Sequence, residues 1–75
     1  MSRYRLVSTQ NDGTANVSSV ILGEDEVQEH LDLEMSLHQM AGWTVTRGDE
    51  TVVCRKGGVT RVISVRVSHA MNDKL

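Results

Sequence analysis

The chain is predicted to be a single small α+β domain, one antiparallel sheet with one helix packed on one face, in the order ββαβββ. Three observations predict it. Ten of the eleven valines lie outside residues 24–41, in short runs separated by Gly, Asn and Asp, as strands around one helix require. The 24–41 segment opens on Glu24, Asp25 and Glu26, where the helix macrodipole favours acids, and stops before Gly42, a suitable terminator. Gly48-Asp49 and Gly57-Gly58 are both suited to two-residue turns between consecutive strands. Leu, Ile and Val make up 19 of the 75 residues, enough apolar side chain for the chain to fold rather than stay disordered.

Taken in order, strands are expected at 3–9 and 15–22, joined by Gln10-Asn11-Asp12-Gly13, which suits a type I turn with Gly13 in the left-handed region. The second of these strands places Ala15, Val17, Ser19 and Ile21 on one side and Asn16, Ser18, Val20 and Leu22 on the other, a pattern ambiguous about which side is buried. The helix follows at 24–41. Three more strands are expected at 43–47, 51–56 and 59–68, then a flexible tail at 69–75. The Gly48-Asp49 turn pairs Val45 with Val52 and Trp43 with Cys54, and the Gly57-Gly58 turn pairs Cys54 with Arg61 and Val52 with Ile63. Both registers therefore send Trp43, Val45, Val52, Cys54 and Ile63 to one face, which Val65 and Val67 extend. The opposite face holds Thr44, Thr46, Thr51, Val53, Arg55, Thr60, Val62, Ser64 and Arg66 and should meet water or a partner. Trp43 is the one large anchor, at the junction of helix and sheet. No repeat or linker divides the chain, so residues 1–75 read as one domain.

Composition excludes several classes. Apolar runs such as Val20-Ile21-Leu22 fall far short of a spanning helix or a signal peptide, and neither a myristoylation nor a prenylation motif is present, so no membrane contact is expected. The lone Cys54 cannot form an internal disulfide, and the cytoplasm of a bacterial or phage-infected cell is the expected compartment. Asn16-Val17-Ser18 matches the glycosylation triplet but has no secretory route.

Net charge is −2, yet the halves differ: through Gly42 there are two basic and seven acidic residues, and from Trp43 there are six and three. Placed at helical spacing, the apolar residues form two stripes, Val27-Leu31-Met35 and Leu33-Leu37-Met40, more than one sheet contact needs. Leu33, Leu37 and Met40 are accordingly the candidates for self-association as a homodimer, unless the first hairpin folds over them. Between the stripes lie His30, Glu34 and His38, four apart on one face. Such a set can bind metal or serve as an acid and base, but it lacks a fourth ligand, and zinc-protease helices place Glu directly after the first His. A Glu34 carboxylate pairing with its histidine neighbours accounts for it more simply, so no metal, cofactor or catalytic residue is assigned.

Arg55, Lys56 and Arg61 surround Gly57-Gly58, with Arg66 along the last strand and Arg47 at the neighbouring turn, a basic end that could track phosphates. No aromatic stands among them to stack a base, and a solvated hairpin tip explains them as well. Conversely, Glu24, Asp25, Glu26, Glu29 and Asp32 could meet a basic protein, although a solvated helix face explains those acids without one. Cys54 is expected inward beside Trp43, as core rather than nucleophile.

Ala41, Gly42, Trp43 with Val45 and Arg47, then 51–56, then 62–69 resemble the HicA toxin family, in which a helix, a Gly and an aromatic precede three strands. That resemblance implies a topology like that of double-stranded RNA-binding domains and RNA contact. The family cleaves RNA with a His after Gly and Ser at the first hairpin; here the position reads Gly48-Asp49-Glu50, so ribonuclease activity is not carried over. The extra leading hairpin and the missing second helix also depart from the family. The expected function is a noncatalytic interaction or regulatory module of bacterial or phage accessory type, self-associating, with a macromolecular partner expected to be protein. A nucleic-acid binder using the Gly57-Gly58 hairpin is the alternative, and a metal-dependent or catalytic protein centred on His30, Glu34 and His38 is the third reading.

Overall fold

The structure, a computed structural model, describes residues 3–68; the tail expected at 69–75 lies outside the described residues. Alternating side chains build β1 (Arg3–Gln10), β2 (Ala15–Val17), β3 (Leu22–Gly23), β4 (Thr44–Arg47), β5 (Thr51–Lys56) and β6 (Val59–Val67), with α1 (Glu24–Met40) between β3 and β4. All six strands join one antiparallel sheet in the order β2-β1-β6-β5-β4, with β3 also pairing to β1, and α1 packs on one face. This is the α+β arrangement expected. The long-range β1–β6 pairing, from Tyr4↔Val67 to Gln10↔Arg61, closes the first hairpin against the last strand.

Both helix ends are set by local chemistry. The Glu26 carboxylate accepts the Gly23 backbone N–H at 2.8 Å, one half of a capping box. At the other end Gly42, at φ 92°, donates to the Gln39 carbonyl and Trp43 N–H to the His38 carbonyl at 2.9 Å, the two bonds of a Schellman motif. Lys56 Nζ donates to the Ala41 carbonyl at 2.8 Å, placing a cation at the negative end of the helix dipole. Trp43 was expected to begin a strand; instead its N–H belongs to the helix terminus and β4 starts at Thr44.

Two strand expectations differ in detail. The expected 15–22 strand divides: β2 pairs Val17 with Val7, β3 pairs Leu22 with Tyr4, and residues 18–21 face only Arg5 and Leu6. The excess forms a bulge, held by Ser18 N–H to the Leu6 carbonyl, Arg5 Nη1 to the Ser18 carbonyl and Val20 N–H to Ser18 Oγ. It settles the ambiguous pattern by burying Leu22 and exposing Val17 and Val20. The β4–β5 register pairs Val45 with Cys54 and Arg47 with Val52, two residues from the expected pairing, because Asp49-Glu50 rather than Gly48-Asp49 makes the turn. Gly48 pairs with Thr51, where an added Cβ would lie 2.5 Å from Thr51 Oγ1, so its glycine serves close strand approach. A one-residue shift in the turn moves every partner by two and keeps the faces.

The β5–β6 register is the expected one, with Gly57 and Gly58 both at positive φ, as a two-residue hairpin needs. Core residues Leu6, Leu22, Val27, Leu31, Val52, Cys54 and Ile63 lie between α1 and the sheet, ringed by Tyr4, Met35, Trp43, Val45 and Val65. Leu31 is fully buried, worth about 2 kcal/mol of transfer free energy. Val67, expected to extend this face, sits at the end of β6 and is half exposed.

Candidate functional site

The helix does not roof the whole sheet. Over β1 and β2 it leaves a cleft of about 320 Å³, walled by His30, Glu34 and His38, floored by Leu6, Ser8 and Ile63, and rimmed by Val17 and Val20 of the hairpin and bulge. The spacing of four residues that singles out these helix side chains in the sequence is what aligns them along one wall.

His38 is buried, and its surroundings assign its tautomer. An arginine only donates, so the 2.9 Å contact from Arg61 Nη1 makes His38 Nε2 the acceptor and leaves the proton on Nδ1. That proton goes to the Glu34 carbonyl at 2.8 Å, with the Glu34 carboxylate 3.7 Å away. Both ring nitrogens are therefore occupied. His30 commits Nδ1 to the Glu26 carbonyl at 3.0 Å. Among the described residues no group of three or more His, Cys, Asp or Glu side chains comes together as a metal site.

Arg61 is the centre of this network. Its Nε and Nη2 donate to Gln10 Oε1 at 2.8 and 2.6 Å, and its guanidinium lies 4.7 Å over the Trp43 ring, which also meets His38 in a T-shaped contact. The neighbouring Cys54 is buried, and burial pushes its thiol up from the ordinary 9.0 while the Arg61 charge draws it down and Glu34 raises it. A thiol so held is core. Sequence reasoning grouped Arg61 with the exposed basic tip, yet its pairing with inward-facing Cys54 already carried the signal that it points toward the helix.

The other basic candidates also separate. Arg47 donates to Asp32 Oδ1 at 3.1 Å, to Gln28 Oε1 at 2.7 Å and to the carbonyls of Gly48 and Asp49, fastening the β4–β5 turn to α1. Lys56 is engaged at the helix terminus. Arg55 and Arg66 lie exposed on the side of the sheet away from α1, as the alternation predicted. Arg3 and Arg5 share that side, through the odd positions of β1, and were missed because its faces were not assigned. The Gly57-Gly58 tip itself is braced by Asn11, which donates to the Gly58 carbonyl and accepts from Thr60 N–H. In the turn below, Thr14 N–H and its side chain hold the Asp12 carboxyl under its ordinary 3.8.

Along the helix, the first apolar stripe goes inward and the second does not. Leu33 and Leu37 are each 51% exposed and Met40 is 84% exposed, so the first hairpin does not cover them. Of the acidic candidates, Glu26 is engaged with Gly23 and Asp32 with Arg47, while Glu24, Asp25 and Glu29 are exposed. No protein-family model, curated protein or solved structure matches the chain. At the hairpin where the HicA family carries its histidine, the Asp49 carbonyl accepts from Gln28 and Arg47.

Proposed function

We propose that the protein is a noncatalytic interaction module that forms a homodimer through Leu33, Leu37 and Met40 of α1. The observation that carries this reading is the exposure of all three along one helix flank while a parallel stripe fills the core. Covering both leucines would contribute about 1–2 kcal/mol each on either side of the seam, before the cost of association. Met40 adds an adaptable contact at the end of the stripe. An antiparallel pairing of two helices brings the acid-rich first half of one toward the Lys56-capped end of the other, a favourable arrangement of charge. In this reading the module works in the cytoplasm, where Cys54 stays reduced, and Glu24, Asp25 and Glu29 remain available to a basic protein partner.

Sedimentation equilibrium tests it. The expected mass is twice the 8.3 kDa of one chain, and Leu37→Glu should return it to one chain that keeps its folded circular dichroism spectrum, with a midpoint that no longer depends on protein concentration. A mass of one chain at every concentration up to about 0.5 mM, an affinity limit of only about 4.5 kcal/mol, would end the proposal.

A further inference from the structure

The side of the sheet away from α1 carries Arg3, Arg5, Arg55 and Arg66 and, among the described strand residues, no acid. We infer that this face docks the phosphate backbone of double-stranded nucleic acid without reading its sequence. Arg3, Arg55 and Arg66 are exposed, and their guanidinium groups make no hydrogen bond or ion pair among the described residues. Arg5 and Arg66 stand directly opposite each other on β1 and β6, a like-charged cross-strand pair that costs stability unless an anion lies between them. Arg5 spends part of its guanidinium on the Ser18 carbonyl and Ser68 Oγ, which fixes the charge in place without neutralising it. Six positions along β6 separate Arg66 from Thr60, the partner of Arg55, so the cations stand roughly 20 Å apart at the two ends of the face. Between them lie hydroxyls that can donate to phosphate oxygens, among them Thr9, Thr46 and Ser64.

Charge chooses the occupant. A second copy stacked sheet to sheet would bring eight arginines into one interface, whereas a polyanion is complementary to them. The absence of any aromatic side chain among the described residues of this face removes the stacking platform that single strands require, which favours duplex backbone. No long apolar side chain on it could enter a bilayer either, its apolar members being Ala and Val. Six helix acids lie on the opposite layer, and the nearest others, Asp12, Asp49 and Glu50, sit in turns. The surface is separate from the helix stripe, so docking and dimerisation can fail independently.

Fluorescence anisotropy with labelled DNA and RNA duplexes of about 20 base pairs tests the inference. Both duplexes should bind at about 50 mM salt, and neutralising about four phosphates predicts roughly a hundredfold weaker binding at about 200 mM. Arg55→Glu with Arg66→Glu should weaken binding at least tenfold without lowering the thermal midpoint, and the milder Arg55→Gln with Arg66→Gln should fall between. Three results overturn it: no binding to either duplex at low salt, equal binding by the charge-reversed protein, or capture by phosphatidylserine-containing phosphatidylcholine vesicles but not by duplex.

Discussion

Cations on the two sides of this sheet lead different lives. On the helix side Arg47, Lys56 and Arg61 each hold other parts of the chain together: a turn to the helix, the helix terminus to β5, and β1 to α1 across Trp43. On the open side the guanidinium groups of Arg3, Arg55 and Arg66 hold nothing among the described residues. Residue type does not separate the groups. Parity along a strand does, because moving one position turns a side chain from the layer covered by the helix to the layer left open. Arg61 and Arg55, on adjacent strands near one hairpin tip, illustrate it: Arg61 pairs with inward Cys54 and Arg55 with outward Thr60. The helix-side cations therefore bear on stability; on the open side Arg5 also braces the bulge, while Arg3, Arg55 and Arg66 are left for the proposed docking.

The largest effect that would break this division is at Arg61. Its truncation to Ala removes the bonds to Gln10 and His38 and the contact over Trp43, and should cost about 2–3 kcal/mol in urea unfolding, with a red shift of emission from the single tryptophan. A loss no larger than at Arg55 would erase the distinction. A smaller effect is expected at Cys54. Because folding raises its thiol above the ordinary 9.0, the folded form resists ionisation, and the stability this lends at lower pH is lost as pH rises through that range. Unfolding free energies from urea titrations between about pH 8 and pH 10 should fall more steeply in the unaltered protein than in Cys54→Ala, by up to about 1.4 kcal/mol per pH unit. Equal slopes would place the thiol in contact with water. Smallest of all, Arg55→Ala should change stability by under about 0.5 kcal/mol, and Arg66→Ala should be neutral or slightly stabilising, since it relieves the pair with Arg5. A clear destabilisation at either would reveal a structural role on the open side.

Much of the fold was legible because its signals are local. Three acids and Gly42 bracket a helix of nearly the expected length, and Gly57-Gly58 sets a register that holds along β5 and β6. Asp49-Glu50 was harder to recognise as a turn, since Gly48, which reads as a turn residue, instead pairs with Thr51 at a spacing that leaves no room for a side chain. The bulge at 18–21 was illegible for a related reason: two of its bonds go to Arg5 and Leu6 across the sheet, and the local one, Val20 N–H to Ser18 Oγ, does not by itself demand that break. The candidate cations were found as residues and wrongly grouped as a surface, since nearness in sequence to Gly57-Gly58 says nothing about which face each one joins.

By itself the sequence determined the kind of each element, the ends of the helix and the inward set of the last three strands, through capping, turn conformation and two-residue alternation acting within a few positions. Tertiary structure alone decided that β1 pairs with β6, that the cleft beside His30, Glu34 and His38 stays open, and that four arginines share a face without acids. No turn joins β1 to β6; their register is chosen by the burial of Leu6, Ile63 and Val65 under the helix, and that long-range choice carries Arg3 and Arg5 to the side of Arg55 and Arg66.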